Sequence, residues 1–369
     1  MKKTYDVAAY VWPAYTGDEP RTRIFWNEGY GEWQSVKSAT AKYEGDTWPR
    51  KPLWGYVNEA DPYVMNMEIE AAVSHGVNVF VYDWYWYDKR PFLEQCLNNG
   101  FLKAENRNKM KFYLMWANHD GSSFWDKRIS DYPEVSMWDG SVDRKEFEKI
   151  VDRLINNYFK EENYYKIDGC PVFAIYFLQN LVKGLGGFDE TADALNYFRE
   201  ETKKAGFPGL HLQLIMHGDA EINQGEGLLY GMNTKSALDK IKFDTATHYQ
   251  ALSFTDMNRN YEDAIPDMVK EWENERNDKH FLYFPHVSLG WDNNPRTHKL
   301  MPTICKNCTP ENIEKALRAA KDYIDKYDIQ PRLVTINSWN EWTETSYLQP
   351  DDLYGYGYLE AVKKVFTEE

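Results

Sequence analysis

The chain has 369 residues, 43% hydrophobic and 16% aromatic, with 58 acidic against 43 basic side chains and a formal charge of −15. That size can bury a substantial core, while the charge repels phosphate backbones and anionic lipid and so sets aside nucleic acid and membrane surfaces as partners. No run of about 18 apolar residues offers a transmembrane helix.

Lys2 and Lys3 precede an apolar stretch, but Asp6 interrupts it and Trp12-Pro13 ends it. Tyr5 to Val11 therefore reads as a first strand rather than a signal peptide, and with no signal visible a cytoplasmic location is the expectation. Ala14 to Glu59 follows as a long loop without clean periodicity, a length that is usually functional. Its Trp26, Trp33, Trp48 and Trp54 read as a plug more than as a lid.

Asp61 caps the first predicted helix, Pro62 suits its first turn, and Met65, Ile69, Ala72 and Val73 share one face before Gly76 ends it. Val77 to Tyr82 is a buried-type strand running into Asp83-Trp84-Tyr85-Trp86, followed by a predicted helix from Pro91 to Leu97. The strand Lys111 to Trp116 leads to Ala117-Asn118-His119-Asp120. Phe147, Ile150, Val151, Leu154, Ile155 and Tyr158 mark a helix, and Pro171 to Phe177 the next strand.

A weaker helix over Asp189 to Lys204 precedes the strand His211 to Met216, with His217 at its end. Phe243 to Thr247 ends in His248-Tyr249. The helix over Asp263 to Glu273 tolerates Pro266 only in its first turn. Phe281 to Val287 leads to Leu289-Gly290-Trp291-Asp292, and Thr309-Pro310 opens a long helix striped by Ile313, Ala316, Leu317, Ala320, Tyr323, Ile324 and Tyr327. Arg332 to Ile336 is the last strand, and a terminal helix begins near Gly357.

About eight strand–helix units with continuously apolar strands predict a single (β/α)8 TIM barrel over residues 1–369, with 14–59 as an inserted loop. No glycine-rich phosphate cradle follows any strand, which weakens a nucleotide-binding reading, and no cofactor is expected. The four cysteines make no disulfide framework. Cys305 and Cys308 form a lone Cys-x-x-Cys for which only His298 offers a third zinc ligand, so a plain loop is preferred and no metal is expected.

In such a barrel all the strand C-termini meet on one face. Those ends hold Tyr10, Trp12, Asp83, Trp84, Tyr85, Trp86, Trp116, Asn118, His119, Tyr176, His217, His248, Tyr249, Trp291, Asp292 and the stretch Trp339 to Glu344. Aromatic walls with scattered hydrogen-bonding groups suit an oligosaccharide or polysaccharide, whose sugar rings stack and whose hydroxyls need polar partners. The same aromatics could instead pack the barrel rim. There is no Gly-x-Ser-x-Gly turn, and the first strand ends without a His-x-His pair. The carboxylates are left to supply chemistry. Glu341 and Glu344 are close enough to couple, and burial beside Trp339 and Trp342 should raise the less solvated of the two. Asp83 is a third candidate, as a tuning charge or a hydroxyl acceptor.

Asn340-Glu341-Trp342-Thr343-Glu344 with Tyr347-Leu348-Gln349-Pro350 resembles the C-terminal signature of glycoside hydrolase family 99-like proteins, including the WbsX group. Tyr82 to Trp86 and Gly290 to Arg296 also resemble WbsX blocks. The resemblance implies a (β/α)8 barrel and metal-independent, retaining, endo-acting cleavage of α-linked mannose-type glycans. It assigns Glu341 as a base toward the sugar 2-hydroxyl and Glu344 as acid, then base; Trp339, Asn340 and Tyr347, beside them in the same stretch, read as positioning groups. Thr343 stands where the hydrolases usually carry His, and Thr345 where they usually carry Gly. The WbsX name itself carries a glycosyltransferase label, and a non-catalytic carbohydrate-binding protein is the third reading.

Overall fold

The computed structural model describes residues 3–218, 221–223, 231–277 and 280–368. Its barrel strands are Asp6–Val11, Val79–Tyr87, Lys111–Trp116, Cys170–Ile175, His211–Met216, Thr245–His248, a seventh in two pieces (Leu282–Tyr283 and His286–Ser288), and Leu333–Asn337. Neighbours pair in parallel throughout. The first strand lies between the second and the eighth, with Asp6 opposite Leu333. The seventh closes the ring by pairing its first piece with the sixth strand and its second with the eighth. The break falls at Pro285, which has no N–H for the ladder and instead accepts from the Thr335 amide at 3.1 Å.

Helices cover the outside. Arg144–Leu154, with five buried residues from Glu146 to Leu154, follows the third strand. Pro310–Tyr327, capped by Thr309, follows the seventh. Among the described residues no helix is long and apolar enough to cross a membrane. The barrel floor beneath the strand ends is a polar lattice: Thr247 and Thr335 hydroxyls meet at 2.7 Å, His286 bridges Thr335 and Ser288 at 3.0 Å each, and Tyr113 donates to Gln213 at 3.0 Å. These bonds satisfy groups that burial would otherwise leave costly.

Several elements differ from the sequence expectation. The second strand runs on to Tyr87, because Arg90–Phe92 folds back antiparallel against Tyr85–Tyr87 and supplies the ladder that a lone extension would lack. That strand replaces the start of the expected helix from Pro91, and helical turns begin only at Cys96–Gly100. The expected helix from Asp189 is preceded by another, Leu178–Leu185; Gly186 and Gly187, at φ 101° and 141°, make the corner before Phe188–Lys204. Pro266 sits inside Tyr261–Asn277 beyond the first turn, where it forfeits one helical hydrogen bond.

Candidate active site

Along the second strand the side chains alternate between the two faces of the sheet. Asp83 and Tyr85 thereby face the barrel mouth, while Trp84 and Trp86 face the helices, their indoles donating to Glu94 at 2.8 Å and Glu146 at 3.3 Å. The mouth is a cavity of about 350 Å³. Trp12, Asp83, Tyr85, His119, Tyr176, His217, Tyr249, Glu341 and Glu344 line it, each from a strand end, together with Trp125, Phe124 and Arg296 from loops.

At its centre is Arg296, 4% exposed and reached by three carboxylates. Its Nε donates to Glu32 at 2.9 Å, Nη2 to Glu341 at 3.0 Å and to Thr343 Oγ1 at 2.6 Å, and Nη1 to Glu344 at 3.3 Å. Glu32 arrives from the long loop after the first strand and also accepts from the Trp12 indole at 2.5 Å. Glu341 takes a second bond, from the Tyr249 hydroxyl at 3.1 Å, and the same hydroxyl lies 3.0 Å from Asp83 Oδ2. Two of the cavity's carboxylate oxygens are buried without a partner among the described residues, Asp83 Oδ1 and Glu344 Oε2.

Burial is the main force on the acids. It pushes Asp83 and Glu341 well above the usual carboxylate range, and the Glu344 charge lifts Glu341 further while Arg296 pulls it back. Glu344 is raised by burial, against the pull of Arg296. Tyr249 is held far up by burial and by Asp83 and Glu341, so its hydroxyl keeps its proton. Burial lowers His217 to about 4, and its Nε2 meets the Tyr176 carbonyl at 2.9 Å. His119 is lowered by burial too, and its Nδ1 meets the Asp120 carbonyl at 2.8 Å. Burial thus disfavours the charged form of both imidazoles in the cavity wall. Among the described residues no group of three or more His, Cys, Asp or Glu side chains is arranged to hold a metal ion.

The remaining expected site residues lie outside the cavity lining. Tyr10 is one layer down, its ring 4.7 Å from that of Tyr249 and its hydroxyl on the His248 carbonyl at 3.1 Å. Trp116 packs against Trp84 and Phe147 on the helix side. His248 points the same way, its Nδ1 2.7 Å from the Tyr283 hydroxyl. Asn118 ties two loops together through both backbone groups of Phe177, at 2.7 and 2.8 Å. Trp291 and Asp292 line a separate cleft with Cys305 and Cys308, where Asp292 accepts from Tyr43 at 2.9 Å. His298 lines yet another cavity, with Lys42 and Lys127, away from the cysteines.

Trp339, Asn340 and Tyr347 brace the acid-bearing loop from behind. The Trp339 indole donates to Glu68 at 2.7 Å, Asn340 donates to Glu59 at 3.0 Å, and Tyr347 stacks on Trp342 at 3.8 Å while donating to Asp351 at 2.7 Å. Thr345 has φ 55°. Its hydroxyl offsets that left-handed backbone by donating to the Asp292 carbonyl at 2.8 Å and accepting from the Trp48 indole at 3.0 Å. Of the residues that strand-end reasoning missed, Arg296 was visible as the last residue of a WbsX-like block. Glu32 carried no signal, since nothing local marks which acid of a long loop turns inward.

A profile of the family described as Glycosyltransferase WbsX matches residues 7–362. Two curated relatives, both named "Uncharacterized protein WxcX" and from two strains of Xanthomonas campestris pv. campestris, are 24% identical over 361 residues. The alignment covers 94% of this chain and 48% of each relative, so the chain spans about half the length of the curated relatives it matches. Among solved structures, a GH99 endo-alpha-mannosidase from Bacteroides thetaiotaomicron superposes with a TM-score of 0.63 at 14% identity, covering 99% of this chain and 98% of that one. A "Glycoside hydrolase-like protein" gives 0.61 at 16% identity, covering 99% and 94%. At these identities the likeness is one of fold.

Proposed function

This chain belongs to the glycosyltransferase WbsX family, and from that premise and the cavity's geometry we propose that it is a retaining, metal-independent glycoside hydrolase acting on α-linked, mannose-type or related glycans. The observation that carries the reading is that Glu341 and Glu344 reach adjacent nitrogens of one guanidinium from the same cavity, at 3.0 and 3.3 Å. That keeps the two acids well inside the ~10 Å over which a carboxylate pair cooperates across a glycosidic bond. Glu341, held by Arg296 and Tyr249, takes the proton of the sugar 2-hydroxyl as that oxygen attacks the anomeric carbon. Glu344, with one oxygen unpartnered, gives its proton to the departing oxygen. Glu344 then takes a proton from the water that reopens the three-membered ring, and Glu341 returns its proton to the 2-oxygen. Trp12, Tyr85 and Trp125 supply stacking faces.

The family's description favours a second reading, transfer from a nucleotide sugar. Against it stands the cavity's charge. Acidic side chains line it, Asp83, Asp120, Glu134, Glu341 and Glu344, and the guanidinium among them is already engaged by Glu32, Glu341 and Glu344. A diphosphate would find no unengaged guanidinium or ammonium among these lining residues.

The test is a panel of α- and β-linked oligosaccharides with and without nucleotide sugars, using wild type, Glu341→Gln and Glu344→Gln. Cleavage without a nucleotide sugar, reduced by two or more orders of magnitude in each variant, is the expected result. Products that appear only with a nucleotide sugar would assign a transferase, and binding with no product in any condition would assign a lectin-like role.

A further inference from the structure

The Tyr249 hydroxyl stands 3.0 Å from Asp83 Oδ2 and 3.1 Å from Glu341 Oε2, and it has one proton to give. It can donate to one of these oxygens. The other contact is a hydrogen bond only if that acid carries a proton and donates to the phenolic oxygen. Two ionised carboxylates on one buried hydroxyl would leave an oxygen–oxygen contact with no hydrogen between, at a site where Asp83 and Glu341 are 4% and 3% exposed.

The surroundings decide which acid holds the proton. Glu341 has the Arg296 guanidinium on its other oxygen at 3.0 Å. Asp83 faces Tyr10, Tyr85, Tyr176, Tyr249, Glu341 and Glu344 from the first, second, fourth, sixth and eighth strands. No cation among the described residues is hydrogen-bonded or paired to it, and its Oδ1 is buried without a partner.

We propose that Asp83 and Glu341 share one proton through Tyr249 and that it rests on Asp83, so that Asp83 donates to Tyr249 and Tyr249 donates to Glu341. Asp83 and Tyr249 are then positioning residues. They hold Glu341 as an oriented carboxylate with one oxygen on Tyr249 and the other on Arg296, and they leave Asp83 Oδ1 as a carbonyl-type acceptor in the cavity wall. The role rests on the glycosidase reading, but the proton's location does not.

Infrared spectra of the full chain at neutral pH test that location without substrate. The wild-type minus Asp83→Asn difference should contain the carbonyl stretch of a protonated carboxylic acid, and the same band should persist in the difference taken on a Tyr249-intact Glu344→Gln background. Absence of the band in both differences means that Asp83 is ionised and overturns the proposal. Turnover tests the role. Asn reproduces the donor of a protonated Asp83, so Asp83→Asn should keep kcat at least tenfold above Asp83→Leu, and Tyr249→Phe should move the acidic limb of the pH profile upward as Glu341 loses its donor. Equal losses in Asp83→Asn and Asp83→Leu would overturn the role. Full activity of Glu341→Gln would instead sink the glycosidase reading and leave the infrared result standing.

Discussion

Replacing Arg296 by Met removes the guanidinium around which Glu32, Glu341 and Glu344 are gathered. Methionine fills much of the volume, so the loss is electrostatic. Breaking one buried ion pair by deleting a partner costs roughly 3–5 kcal/mol. Here three carboxylates lose their countercharge, and Glu341 and Glu344 can recover part of that by binding protons. The sign follows from the directions of the shifts. Burial already places Glu341 and Glu344 above the ordinary carboxylate value, with Arg296 pulling both down. A group raised in the folded state gives stability that is complete below its unfolded value and is lost as pH rises through its folded value. Without Arg296 the folded values climb further, so the loss deepens and extends to higher pH. Urea melts of wild type and Arg296→Met should therefore show a deficit of a few kcal/mol near neutrality that grows toward alkaline pH and shrinks toward acid. A deficit independent of pH would show that Arg296 acts through packing, and no deficit would refute the charge argument altogether.

Thr345→Ala keeps the left-handed backbone but loses the bonds to Asp292 and Trp48, so thermal melts should show it destabilised by about 1–3 kcal/mol, and more than Thr345→Gly, which also relieves the backbone. Behind the acid loop, burial raises Glu68 to about 7; the wild-type Tm should fall as pH is raised through that value, and Glu68→Gln should flatten the fall. Thr343 accepts from Arg296 at 2.6 Å. Thr343→Val should lower turnover on any cleaved glycan about tenfold, the size of one lost hydrogen bond to a charged group, with the far-ultraviolet spectrum unchanged.

The barrel was legible because parallel strands buried on both faces write themselves as apolar runs, and Thr309-Pro310 announces a helix start in its own residues. What lay outside the reading was set at a distance. The continuation of the second strand to Tyr87 depends on Arg90–Phe92 returning to pair with it, and no periodicity in Asp83-Trp84-Tyr85-Trp86 foretells that partner. The same run shows how strand alternation sorts a strand end into cavity and core: neighbours equally polar or aromatic in sequence, Asp83 and Trp84, go to opposite faces. Arg296 and Glu32 escaped strand-end logic because both sit on loops, and their meeting is decided by how the 14–59 segment packs.

The pairing of the first strand with the eighth carries a consequence for how the chain assembles. Trp12 and Asn340, which exchange two backbone-to-amide hydrogen bonds, are 328 positions apart. Loop closure over such a span comes late, after the local β/α units have formed. On that order the acids of the eighth strand would meet Glu32 and Asp83 only as the ring closes. During vectorial synthesis the first strand waits with an open edge until nearly the whole barrel has emerged. A folding intermediate that lacks only this seam would retain most of its helices and have no assembled cavity.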